Sequence, residues 1–264
     1  MREDVRHTGI DVIDQVPWGT HLCLFYETKE DLRDTLVPYF RAGLESNECC
    51  MWVTSAPLTA EDARKSLKRV VQNLDACVER GQLEILDYSQ WYTRSGAFGG
   101  DRVLQGWLEK ENLATESGFD GLRVAGNTTW VEKEHWREFA DYESAINGII
   151  PNSRMIAVCT YSLDKCAASE VLDVLSSHQF ALTRRQGKWV ELERLKKLVR
   201  VIMTTRPDEI ACDECLDRLD RFVETRLAGT EVPEAMWLLQ DHLERCDDCR
   251  EEFEALLAAA RAPL

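Results

Sequence analysis

The 264-residue chain has no run of about 18 apolar residues, and its start, MREDVRHTGIDVIDQ, carries no apolar core. The first absence excludes a membrane-spanning helix and the second a secretory signal, so a soluble, cytoplasmic protein with no membrane association is expected. Basic residues are in deficit: 32 Lys and Arg against 47 Asp and Glu leave a formal net charge of −15. Phosphate backbones are gripped by clustered cations, which argues against direct nucleic-acid binding. Internal repeats and low-complexity blocks are lacking as well. One motif is also missing. The first strand-to-helix junction reads HLCLFYETKEDL, without the glycines or the GK[ST] ending of a loop that cradles triphosphate. Glu27, Glu30 and Asp31 would repel phosphate there, so ATP hydrolysis by this route is not expected and the chain reads as a non-enzyme.

What is present is an alternation of short apolar runs with longer amphipathic ones, the pattern of βαβ units around a largely parallel sheet. HLCLFYE (21–27), CCMWVTS (49–55), LEILDYS, GLRVAGNTTW and SRMIAVCTYSL read as strands. Helices are expected after 27, over 61–80, 101–116 and 134–148, and in ASEVLDVLSSH; Pro38 is expected to kink the first of them. QFALTRRQGKWVEL can add edge strands, and LERLKKLVRVIMTT a short helix, before a connection at RPDE. From Arg206 onward the pattern is helical only, and 16 acidic residues face 7 basic ones. The expected organisation is therefore an α/β domain over 1–195, a connection over 196–207 and a small all-α module over 208–264 with three short helices.

HLERCDDC, residues 242–249, concentrates metal-binding side chains. On a continuous helix His242, Cys246 and Cys249 lie within about 40° of one another, so all three face one direction. CDEC (212–215) supplies a fourth ligand through either Cys212 or Cys215, giving a Cys3His site. Thiolate and imidazole suit a tetrahedral Zn2+, and about 55 residues make a core small enough for a metal to replace apolar burial. Four protein ligands leave no open position, which favours a structural clip over hydrolysis. A redox switch is the rival: an oxidant attacks a zinc thiolate, Cys215 closes a disulfide and the ion leaves. Cys23, Cys49, Cys50, Cys77, Cys159 and Cys166 sit in apolar contexts and are expected to pack.

A parallel sheet binds ligands beyond the carboxyl ends of its strands. That rule gathers Tyr26, Glu27, Thr54, Ser55, Tyr88, Thr129, Trp130 and Tyr161 at one candidate crevice for a small organic ligand. WYTRSGAFGGDR (91–102) is either a surface connection or a lid over it. His21, opening the first strand, is a hydrogen-bonded structural residue or a ligand-binding one, and no partner for it is visible in the sequence.

The segment from GTHLCLFYETKEDL to CCMWVTS, with GNTTWVEKE and AVCTYSLDK, resembles the MEDS family over roughly residues 8–190. The resemblance implies a three-layer RecA/KaiC-like fold with a degraded phosphate loop, serving as a noncatalytic sensor of a small molecule. Cys212 through Phe222 to HLERCDDC resembles the zinc finger of anti-sigma factors. That likeness assigns Cys212 as fourth ligand, leaves Cys215 as the nearby spare, and implies a regulatory protein such as a sigma factor as partner. Exposed apolar helix faces in the tail admit self-association too. A divergent RecA-like ATPase and a zinc-thiol redox switch are the alternative functions.

Overall fold

The structure is a computed structural model that describes residues 5–185, 188–204, 210–229, 232–233 and 236–261. It divides into two compact units, Met1–Val199 and Arg200–Leu264. The RPDE connection lies outside the described residues.

The first unit opens with a hairpin that the sequence reading did not contain, β1 (Val5–Ile10) against β2 (Ile13–Pro17). Then follow β3 (Thr20–Tyr26), α1 (Lys29–Glu45), β4 (Cys49–Thr54), α2 (Ala60–Lys68), α3 (Leu74–Glu79) and β5 (Leu83–Asp87). A single turn α4 (Tyr88–Trp91), α5 (Gly100–Glu116), β6 (Leu122–Asn127), α6 (Trp136–Ile149), β7 (Met155–Ser162) and α7 (Ala168–Ser177) continue the alternation. The edge pair β8 (Phe180–Arg185) and β9 (Lys188–Glu191) and the helix α8 (Glu193–Thr204) close the order. The sheet runs β5-β4-β6-β7-β3-β8-β9, parallel throughout except for β9.

Side chains alternate across a strand, and this sheet sorts them cleanly. Leu22, Leu24 and Tyr26 of β3, with Cys50 and Trp52 of β4, meet Leu32, Leu36 and Phe40 of α1 on one face. Cys23, Phe25, Met51, Val53, Ala157 and Cys159 point the other way, into a core with Trp107 of α5, Phe139 and Tyr142 of α6 and Val174 of α7. Strands covered on both faces need the near-continuous apolar runs by which they were read. Helix α1 runs unbroken through Pro38.

Beneath α1 lies a charged core. Arg123 and Glu48 are both fully buried and paired, and Arg6 reaches the same carboxylate at 2.8 Å. Arg123 also donates to the carbonyls of Thr8, Tyr39 and His7, so its guanidinium and that of Arg6 both tie the hairpin to the rest of the unit. Gly43 passes so close that an added Cβ would sit 2.6 Å from Arg123 Cδ, which leaves room for glycine alone.

The entry to α1 is closed by its own residues. Thr28 caps the helix, accepting from the Asp31 amide at 3.1 Å, while Asp31 accepts from the Thr28 amide at 3.0 Å, a reciprocal capping box. Burial pushes the Asp31 carboxyl upward, but the amides of Thr28 and Glu27 and the Arg184 guanidinium outweigh it and hold the group below its ordinary range. A carboxyl depressed on folding adds stability above its unfolded pKa and loses it as pH falls through the folded value. Asp31→Ala is therefore expected to cost about 1–2 kcal/mol at neutral pH, with the difference from wild type shrinking in acid. Urea melts at pH 7 and pH 3 check this.

The second unit holds α9 (Cys212–Leu216), α10 (Leu219–Ala228), α11 (Trp237–Arg245) and α12 (Asp247–Arg261). Among the described residues four helices replace the three expected, because CDEC forms its own short turn and HLERCDDC is split at Cys246. Gly229, at φ +65, ends α10 in the left-handed conformation that glycine adopts without strain. Ile210, Leu219, Phe222, Leu239 and Leu243 form a small core, with Phe253 against Phe222.

Candidate functional site

A continuous helix could not deliver His242 and Cys249 to one ion. Seven residues at 1.5 Å each separate them by about 10 Å along the axis, whereas zinc at 2.0–2.3 Å from its ligands needs donor atoms about 3.3–3.8 Å apart. The break resolves this. Helix α11 ends at Arg245, Cys246 takes extended backbone, and α12 starts at Asp247 in a new direction, returning Cys249 to His242. One donor atom each from Cys212, His242, Cys246 and Cys249 then lies within 4.8 Å of the others. Cys212 Sγ and Cys246 Sγ are 3.8 Å apart, two free thiols at the spacing of ligands on one ion.

These residues fit a zinc-class ion: three thiols and an imidazole, with His242 and Cys249 buried and Cys212 exposed. Burial and the neighbouring thiols of Cys246 and Cys212 push Cys249 well up, and burial raises Cys212. A divalent ion would supply the positive charge that such a crowd of thiolates requires. Cys215, the other candidate for the fourth position, is fully buried in the apolar core of this unit and lies outside the four-donor set.

In the first unit the site follows from the strand ends. At the β3–α1 junction Asp31 Oδ2 accepts from the amides of Glu27 and Thr28, at 3.1 and 3.0 Å. Helix-start amides are the donors that nucleotide-binding folds aim at phosphate; here a carboxylate of the chain occupies them. Glu27 itself is exposed.

The other sequence-selected residues divide into groups. Ser55 Oγ and Thr129 Oγ1 are 2.7 Å apart, and the Asn127 amide donates to the Tyr26 hydroxyl at 3.1 Å, linking the ends of β3, β4 and β6. Burial pushes the Tyr26 phenol up to about 12. Thr54 donates to the carbonyl of Leu86, a structural bond within the sheet. Tyr88 stacks on Trp130 with ring centroids 5.7 Å apart, and both line a groove of about 350 Å³ with Phe98, Glu132, His135 and Glu138. That volume suits a small organic molecule, and the two carboxylates disfavour an anion. The 91–102 segment is pinned: Arg102 donates to the carbonyls of Tyr92 and Ala97, and Phe98 packs on Trp130 and Phe139. Tyr161 is fully buried against Trp136 and His178, away from that groove.

Comparison with known proteins places the first unit. The profile described as MEthanogen/methylotroph, DcmR Sensory domain (MEDS) matches residues 20–179, more than half of the chain. The chain belongs to the MEDS family. The transcriptional repressor DcmR of Methylorubrum extorquens is 25% identical to it over 167 residues, 62% of this chain, and the chain spans about 60% of the length of that curated relative. The KaiC-like protein PH0186 of Pyrococcus horikoshii OT3 superposes with a TM-score of 0.50 at 16% identity, covering 67% of this chain and 79% of its own. The flagellar accessory protein FlaH of Methanocaldococcus jannaschii gives a TM-score of 0.45 at 13% identity, over 66% and 76%. The MEDS domain thus has the RecA/KaiC-like α/β fold, a mainly parallel sheet between helices.

Inside this MEDS domain His21 does have partners. It is completely buried, 3.4 Å from Cys159 Sγ and 3.5 Å from Glu143 Oε2, with its ring 4.0 Å from that of His178. Burial, then His178, lowers the His21 pKa to about 3, and burial lowers His178 to about 3. Burial raises Glu143. Sequence reasoning left Cys159 as packing and passed over Glu143 and His178. The signals were strand parity, which puts His21 and Cys159 on one sheet face, and a glutamate among the buried positions Phe139, Tyr142, Glu143 and Ile146 of α6.

Proposed function

We propose that this chain is a noncatalytic cytoplasmic regulator in which a MEDS sensory domain is coupled to a helical zinc module of anti-sigma-factor type, and that the module acts on a partner protein, a sigma factor first. The observation that carries the reading is the convergence of Cys212, His242, Cys246 and Cys249 in a chain whose other unit belongs to a sensory family. The Asp31 carboxylate on the Glu27 and Thr28 amides, which leaves them unavailable to a phosphate, supports a sensor rather than an ATPase. The name of DcmR, a transcriptional repressor, agrees with a regulatory role. Tyr88, Trp130 and their groove offer the place for a small organic ligand, neutral or cationic.

The module also carries a handle for a partner. Trp237 is 58% exposed at the start of α11, and Leu238 is exposed beside it. A large aromatic of this kind is a frequent anchor of binding energy. Calorimetric titration of the zinc-loaded full chain with candidate sigma factors is expected to show binding, weakened at least about tenfold by Trp237→Ala with zinc content unchanged. Absence of binding to every sigma factor tried would remove this partner class.

The redox reading has one observation in its favour. Cys212 is exposed with Cys246 Sγ at 3.8 Å, so oxidation would join Cys212 to Cys246 and not involve the buried Cys215. Peroxide treatment followed by disulfide mapping and zinc-release measurement discriminates the switch from a constitutive clip.

A further inference from the structure

The buried cluster around His21 has the composition and spacing of a second metal centre. His21 of β3 and Cys159 of β7 project from the same face of the sheet, which pairs residues 20–26 with 156–162 in parallel register. Glu143 reaches in from α6, and His178 follows directly on α7. His178 Nε2 lies 3.3 Å and His21 Nε2 3.5 Å from Glu143 Oε2, and His21 Nε2 lies 3.4 Å from Cys159 Sγ. One donor atom from each of the four falls within 4.8 Å of the other three. Three of these separations match, within a few tenths of an ångström, the edges of a tetrahedron around zinc, about 3.3–3.8 Å.

Hydrogen bonding alone accounts poorly for this arrangement. His178 Nδ1 is 2.8 Å from the carbonyl oxygen of Val174, which can only accept, so Nδ1 carries the hydrogen. In the neutral ring Nε2 is then a bare lone pair, and it faces a carboxylate oxygen: two acceptors set against each other. Neither His178 Nε2 nor Glu143 Oε2 has a hydrogen bond of ordinary geometry among the described residues, the Cys159 thiol and the Tyr161 hydroxyl being the donors that face the Glu143 carboxyl. Isolated charge is costly at such depth, and buried polar atoms normally find partners. A divalent cation resolves both problems. It accepts the lone pairs, and with one carboxylate and one thiolate it forms a centre of zero net charge, the condition a fully enclosed site favours.

We propose that the MEDS domain binds one divalent transition metal of the zinc class through His21, Glu143, Cys159 and His178, independently of the Cys3His set in the helical unit. The donor mixture of two imidazoles, a thiolate and a carboxylate suits zinc, and Co2+ serves as its spectroscopic substitute. Four protein ligands close the coordination sphere. The ion therefore fixes β3 and β7 against α6 and α7.

The test uses the full chain in which the terminal set is disabled by Cys212→Ser, Cys246→Ser and Cys249→Ser. Elemental analysis is expected to find about one zinc per chain in this variant and about two in the wild type. Co2+ added to the metal-stripped variant is expected to give a tetrahedral spectrum with a single-thiolate charge-transfer band. Further substitution Cys159→Ser should abolish that band, and Glu143→Gln should lower the metal content. Two results overturn the proposal. One is a terminal-set variant whose α/β unit is folded but which contains no metal and takes up neither Zn2+ nor Co2+, the outcome if a proton on Glu143 bridges to His178. The other is metal retained undiminished with its spectrum unchanged in both Cys159→Ser and Glu143→Gln, which would place the ion elsewhere, such as the exposed Glu132, Glu134 and His135 group. The first arm needs no substitution in the domain core, so a variant that fails to fold leaves the decision intact.

Discussion

Glu48→Ala is expected to destabilise the MEDS domain by about 3–5 kcal/mol, among the largest losses a single substitution can produce. The mutation removes a carboxylate from full burial and leaves the Arg123 guanidinium without its counter-charge in the core. Arg123 cannot shed its proton at accessible pH, so the charge stays and the domain bears the cost. Its other partners, the carbonyls of Thr8, Tyr39 and His7, are dipoles that cannot neutralise it. Replacing both members with apolar residues, Glu48→Leu with Arg123→Met, should recover much of the loss, because breaking a buried pair costs more than lacking one. Urea denaturation of the two variants measures this. A Glu48→Ala loss below about 1 kcal/mol would mean that the pair is solvated in solution.

Metal removal is expected to have an equally large effect, confined to the helical unit. Its described core is small, and of the four candidate ligands two are themselves among its buried residues, His242 and Cys249. Structural zinc in small modules contributes apparent binding free energies of about 10–16 kcal/mol, most of which is folding energy. A strong chelator should therefore melt α9 to α12, seen as a partial loss of helical circular dichroism and rapid proteolysis after residue 204. The α/β unit should persist, and added Zn2+ should restore the signal. Cys215→Ala should respond as the wild type does, since Cys215 lies outside the donor set.

Much of this was legible in the sequence, for reasons particular to each element. The strands of a sheet buried on both faces announce themselves as apolar runs, and β3, β4, β6 and β7 were read that way. The hairpin of residues 5–17 was not, because what fixes it is remote: Arg123, more than a hundred residues away, holds its backbone carbonyls. The four terminal donors were legible from residue type and spacing. The geometry was not, because an angular projection ignores axial rise, and the chain supplies the missing turn by leaving the helix at Cys246. The absent phosphate loop was plain, yet only the structure reveals that the Asp31 carboxylate accepts from the Glu27 and Thr28 amides at that junction. The His21 cluster draws on three segments, around residues 21, 143–159 and 178, and no local motif unites them.

The central claim is that a metal ion held by Cys212, His242, Cys246 and Cys249 organises the helical unit. X-ray absorption at the zinc edge, on the Glu143→Gln full chain so that the terminal set dominates the signal, tests it most directly. The account predicts three sulfur ligands at about 2.3 Å and one nitrogen at about 2.0–2.1 Å. A chain that purifies without zinc while its terminal helices stay folded, or a shell of oxygen and nitrogen alone, would contradict it.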